Sequence, residues 1–174
     1  SDQSVSCRVD GTYLISGGLG ALGLTVAQWL ADRGARHLIL LGRSALPARQ
    51  QWYDLDPSER FAKAVATVRT LEAAGVHVHL GSVDVANRDE LQRYLETYES
   101  EGWPAIRGVV HAAGVLRDKL FESLTLSELS AVMRPKAAGG WNLHELTLDK
   151  PLDFFVTFSS VAAVTGSVGQ ANYG

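Results

Sequence analysis

Four glycines stand within seven residues in the run Ser16-Gly17-Gly18-Leu19-Gly20-Ala21-Leu22-Gly23. The five residues Thr12–Ser16 (TYLIS) that lead into them are rich in strand formers. Residues 24–33 beyond them follow a helical pattern that stops at Gly34. A strand, a glycine turn and a helix in that order admit few folds. Residues without a Cβ allow a tight turn, let the backbone approach a pyrophosphate, and let the helix pack onto the strand. The amides that open the helix then face an anion. Gly18-x-Gly20-x-x-Gly23 matches the dinucleotide fingerprint, and Gly17, Gly20 and Gly23 satisfy a second pattern with glycine at every third position. The candidate phosphate cradle is therefore Gly17, Gly18, Leu19, Gly20, Leu22 and Gly23. A glycine-rich turn of structural purpose only is the competing reading, and four glycines directly after a first strand weigh against it.

The alternation continues along the chain. Apolar runs at 37–41 (HLILL), 76–83, 106–111 (IRGVVH) and 152–159 (LDFFVTFS) read as strands. Helical spacing covers 61–74, 89–100 and 126–147, with residues 125–128 as a capping box and Pro135 expected to split the last helix. Strands alternating with helices imply right-handed crossovers. The fold class is α/β, a Rossmann-like doubly wound parallel sheet with helices on both faces. Residues 45–58 hold Pro47, Trp52 and Pro57 and read as a surface excursion, either a plain insertion or a partner contact.

Composition narrows the function classes. A chain of 174 residues, 46% hydrophobic and 20% charged, fits one folded domain. A net charge of −3 offers no basic surplus for nucleic acid. The single cysteine, Cys7, allows no internal disulfide or thiolate zinc site, and a reduced, cytoplasmic setting is expected. No apolar run reaches the ~20 residues of a membrane span. Residues 1–10 are polar and read as a linker or boundary segment, with the domain over 11–174.

The cofactor can be read further. After the second strand comes Leu41-Gly42-Arg43-Ser44, with no acidic residue to hold ribose hydroxyls. Arg43 can meet a 2′-phosphate with its guanidinium and Ser44 can add a hydrogen bond, which favours NADPH. Asp84-Val85 closes the third strand at the expected adenine pocket. Asp84 either accepts from the adenine amino group or caps the next helix. His111-Ala112-Ala113-Gly114 closes the fourth strand with small residues that leave room for a cofactor. His111 reads as a packing residue rather than a base. The remaining histidines are scattered, with no metal-ligand spacing, and no metal is expected.

Ser160 precedes Tyr173 by thirteen positions, and Lys136 precedes Ser160 by twenty-four, on the preceding helix. A free phenol has a pKa of ~10. A nearby ammonium and the cofactor's charge lower it, making it a usable proton donor, while a serine hydroxyl polarises the carbonyl. Serine, tyrosine and lysine beside a nicotinamide are the equipment of carbonyl reduction. With the segments GTYLISGGLGALG, HLILLGRS, DVANRDEL, GVVHAAGVLRDKLF, RPKAAGGWNL and FSSVAAVTGSVGQANYG, the chain resembles the short-chain dehydrogenase/reductase superfamily. More narrowly, it resembles the ketoreductase domain of a modular type I polyketide synthase. In ordinary short-chain reductases the lysine follows the tyrosine by four residues, whereas in the synthase branch it sits on the earlier helix, as Lys136 does.

The resemblance implies specific roles. Tyr173 is the general acid toward the ketone oxygen, Ser160 holds that oxygen, and Lys136 tunes Tyr173 and orders the ribose or a proton relay. Ser159 is the neighbour passed over on spacing. The implied substrate is a β-ketoacyl thioester carried on the phosphopantetheine of an acyl carrier protein, among other domains of the same synthase. NADPH is the implied reductant and a β-hydroxyacyl thioester the product. The B-type Leu-Asp-Asp triplet reads Leu116-Arg117-Asp118 here, and the A-type tryptophan position holds Thr165. Asp118 is thus the stereocontrol candidate, implying the D-configured hydroxyl. A free-standing reductase of a small carbonyl compound and a non-catalytic cofactor-binding module are the alternatives. Because the sequence stops one residue past Tyr173, the 174 residues are expected to be the cofactor-binding part of a larger domain, weakly active or inactive alone.

Overall fold

The computed structural model describes residues 6–113 and 126–158. Five strands form one sheet: β1 (Thr12–Ser16), β2 (His37–Gly42), β3 (His77–Ser82), β4 (Ile106–His111) and β5 (Phe154–Thr157). Their order is β3-β2-β1-β4-β5, and every neighbouring pair is parallel. Helices α1 (Ala21–Asp32), α2 (Ala62–Ala73), α3 (Arg88–Ser100) and α4 (Leu126–Leu146) make the crossovers. The expected doubly wound α/β fold is therefore present.

A parallel sheet covered on both faces needs strands that are apolar throughout. Leu38, Ile39, Leu40 and Leu41 meet that need, all fully buried. Alternate residues feed two cores. Tyr13, Ile15, Leu38 and Leu40 pack with Leu30 of α1 and Val65, Val68 and Leu71 of α2. Leu14, Ile39, Leu41 and Val109 pack with Leu91 and Leu95 of α3 and Leu143 of α4. Cys7 joins the first core, and its amide donates to the Arg33 carbonyl at 2.9 Å.

Several expectations are corrected. Helix α1 begins at Ala21 rather than residue 24, so Gly23 is helical. Gly34 ends the helix at φ +104, a left-handed conformation suited to glycine. Pro135 does not split α4, which is continuous with the proline inside it. The end of β4 explains how the helix is held there. His111 Nε2 lies 3.0 Å from the Lys136 carbonyl, and the Gly139–Gly140 pair lets the helix press onto the imidazole. A Cβ on Gly139 would stand 3.3 Å from His111 Cε1 and 2.7 Å from Val85 Cγ2. The 45–58 excursion is not merely superficial, because Trp52, in the 3-10 turn Arg49–Tyr53, is buried in the first core. The histidines are less scattered than the sequence suggests. The β2–β3 register sets His37 opposite His77, and their rings stack at 4.8 Å. His79 meets Trp103 at 4.6 Å.

Candidate nucleotide-binding site

Strand β1 has β2 on one side and β4 on the other, so the chain reverses its direction of winding there. In open α/β sheets ligands bind at such a point, beyond the carboxyl ends of the strands. A cleft of about 400 Å³ lies there, within the range of small-molecule sites. Gly17, Leu19 and Gly20 line it from the β1–α1 turn, and Arg43 and Ser44 from the end of β2. Asp84 and Val85 approach from beyond β3, and Ala112 and Ala113 from beyond β4. Nine of the cofactor candidates are thus brought to one cavity by four separate strand ends.

The glycines divide by role. Gly17 has φ +69, and a Cβ there would lie 2.8 Å from the Ala112 carbonyl carbon. A Cβ on Gly18 would lie 2.8 Å from Leu40 Cβ, and one on Gly23 only 2.2 Å from the Gly17 oxygen. These three close the turn onto the sheet. Gly20 differs: its backbone is extended, and a Cβ would meet only the Gly17 oxygen, at 3.3 Å. Among the described residues packing thus presses on position 20 far less than on the other three glycines, whereas a pyrophosphate seated on the turn would require glycine there. Gly20 is also the N-cap of α1, has no side chain to occupy the helix amides, and no acidic residue lies in the first turn. The Leu22 side chain leaves the cleft for an apolar groove with Trp29 and Phe154, so only its backbone can serve an anion.

Asp84 accepts from the Ala86 amide at 3.0 Å and braces the turn after β3. It does not cap α3; Asn87 does, accepting from the Glu90 amide at 3.3 Å. Of the two readings of Asp84, the capping one is thus corrected, while the residue still lines the cleft.

His111 is 4% exposed and takes the packing role. A carbonyl can only accept, so Nε2 donates to Lys136; Nδ1 then accepts from the Ser16 hydroxyl at 2.5 Å. Burial holds His111 below the usual histidine range, which favours this neutral, singly protonated ring. Pro135 lines the cleft, and burial also holds the adjacent Lys136 ammonium below the usual lysine range. Asn142 fixes the same helix by donating to the Val85 carbonyl at 2.9 Å. Gly114, Asp118, Ser160 and Tyr173 lie outside the described residues.

Among the lining residues absent from the predicted site are Arg60 and Phe61. They belong to no motif and follow β2 by a long excursion. One signal does exist. In a parallel sheet the helix after β2 must start at the strand's carboxyl end, where the nucleotide site lies.

The fold and the glycine turn define a Rossmann-type dinucleotide-binding domain. A family model described as "KR domain" matches residues 11–174, and the chain belongs to this family, the ketoreductase domains of modular polyketide synthases within the short-chain dehydrogenase/reductase superfamily. The 6-methylsalicylic acid synthase of Aspergillus terreus is 46% identical over 168 residues, covering 95% of this chain and 9% of that protein. The ketoreductase from the first module of phoslactomycin biosynthesis in Streptomyces sp. HK803 superposes with TM-score 0.76 at 35% identity, covering 94% of this chain and 35% of the other. A structure of A-type ketoreductases from a modular polyketide synthase gives TM-score 0.76 at 39% identity, covering 94% and 32%. The chain thus spans about a tenth of the curated relatives it matches and about a third of these solved chains. Ketoreductase domains of polyketide synthases are oxidoreductases that use a nicotinamide cofactor to reduce β-keto groups during chain assembly.

Proposed function

We propose that this domain reduces a carrier-protein-bound β-ketoacyl thioester to the β-hydroxyacyl thioester with NADPH. The observation that carries the cofactor reading is the shared cleft of Gly20 with Arg43 and Ser44. Among the described residues only the Gly17 oxygen would meet a Cβ at Gly20, which leaves room for a pyrophosphate on the turn. Arg43 and Ser44 stand where an enzyme selective for NAD has an acid. The residues present therefore fit the phosphorylated nucleotide.

Held by the glycine turn with Arg43 and Ser44, the cofactor would supply a hydride for the β-carbon of the keto group. The Tyr173 hydroxyl gives its proton to the same carbonyl oxygen, so one hydride and one proton yield the alcohol. Ser160 donates a hydrogen bond to that oxygen and fixes its direction. Lys136, already disposed by burial to release its proton more readily than an exposed lysine, lowers the Tyr173 pKa and supports reprotonation. Asp118 steers the substrate to the face that gives the B-type, D-configured hydroxyl. An acyl carrier protein brings the thioester, and neighbouring domains of the same assembly supply and consume it.

The test is NADPH consumption by the full-length protein with a β-ketoacyl thioester, with chiral analysis of the product. Turnover that disappears in Tyr173→Phe while NADPH still binds is the expected result. Unchanged turnover in that variant overturns the role of Tyr173. An L-configured product overturns the reading of Asp118.

A further inference from the structure

The excursion after β2 ends on a second cation at the nucleotide cleft. Arg60 and Arg43 both line the cavity, and Arg60 Nη2 donates to Ser44 Oγ at 3.4 Å. Neither arginine has a carboxylate partner among the described residues. Two unneutralised guanidiniums that share one end of a cleft repel each other, and a dianion between them removes that cost. The Arg60 guanidinium also stacks over the Phe61 ring, 4.9 Å from its centroid, which limits the directions it can take.

The excursion is built to hold that position. Arg49 donates two hydrogen bonds to the Glu72 carboxylate on α2, at 3.0 and 2.7 Å. The same guanidinium lies 4.6 Å from the Trp52 ring centroid, and Trp52 Nε1 donates to the Pro47 carbonyl at 2.8 Å. Arg69 of α2 covers Tyr53. A segment braced internally and pinned to α2 at Glu72 and Arg69 delivers Arg60 reproducibly.

We propose that Arg60 is a specificity-determining residue that grips the 2′-phosphate of the adenosine half of the cofactor from the side opposite Arg43. This inference rests on the NADPH reading above and adds a residue that no strand-end motif contains.

The test is titration of the full-length protein with NADPH, NADH and adenosine 2′,5′-bisphosphate, followed by fluorescence or calorimetry rather than turnover. Arg60→Ala should weaken NADPH and the bisphosphate about tenfold, as for one lost charge-assisted hydrogen bond, and leave NADH within about twofold. Arg60→Lys should recover part of the loss. Equal weakening of NADPH and NADH, or no weakening of either, overturns the proposal. If the unaltered protein binds NADPH and NADH alike, the NADPH reading itself falls, and the role of Arg60 falls with it. Arg60 is exposed, and unchanged thermal unfolding of the variants will show that the fold is intact.

Discussion

The Ser16 hydroxyl and His111 Nδ1 are 2.5 Å apart at the carboxyl ends of neighbouring strands β1 and β4. Through its other nitrogen His111 holds the Lys136 carbonyl of α4, so one buried ring ties the glycine-turn strand to the helix that carries the lysine. His111→Ala removes both bonds, strands the buried Ser16 hydroxyl, and opens a cavity. A loss of about 3 kcal/mol is expected in urea unfolding. His111→Asn should retain the Ser16 bond and His111→Gln the Lys136 bond, so both should recover part of the stability. Equal stability of His111→Ala and the unaltered protein would show that the bridge contributes nothing.

The glycine turn separates folding from binding. Gly23→Ala places a Cβ 2.2 Å from a backbone oxygen and should cost more than about 2 kcal/mol. Gly20→Ala meets one oxygen at 3.3 Å and should change the unfolding midpoint little while weakening NADPH at least tenfold. Circular dichroism melts beside cofactor titration will check both halves. Tight NADPH binding by Gly20→Ala would refute the assignment of that position to the pyrophosphate.

Stability should depend on pH through one buried and two half-buried histidines. Burial holds His37, His79 and His111 below the usual histidine range, and neighbouring histidines lower His37 and His79 further. The unfolded chain then binds more protons than the folded one as pH falls below the ordinary histidine pKa of ~6.5. Stability is fully present above that value and declines as the pH drops toward the depressed folded values. Urea midpoints between pH 8 and pH 5 should fall at the acid end (a range set around that pKa). A midpoint that rises on acidification would contradict these directions.

Trp52 anchors the excursion. Its removal in Trp52→Ala should cost about 3 kcal/mol, as for other buried aromatic truncations. It should also narrow the preference for NADPH over NADH, because Arg60 loses its support. A loss of stability with unchanged cofactor preference would separate the anchor from the arginine.

Much of this was legible in the order of residues. The continuous apolar run Leu38–Leu41 marks a buried parallel strand, and the glycines after Thr12–Ser16 mark a nucleotide turn. The positions lining the cleft at the ends of β2, β3 and β4 follow from the same rule, since strand ends share an edge. The continuity of α4 through Pro135 was not legible, because it involves contacts with His111 and Val85 that lie far away in sequence. The stacking of His37 on His77 depends on register, which spacing along one strand does not fix.

The sequence by itself determined the fold class, the cleft and the family, because local periodicity, turn chemistry and motif spacing are properties of neighbouring residues. Only the tertiary structure decided which glycines are closed in by backbone, that Asn87 rather than Asp84 caps α3, that His111 joins Ser16 to Lys136, and that Arg60 lines the same cleft as Arg43. Each of these is a distance between residues separated by a crossover or a turn. Packing of helices on the sheet sets such distances, and no local pattern encodes them.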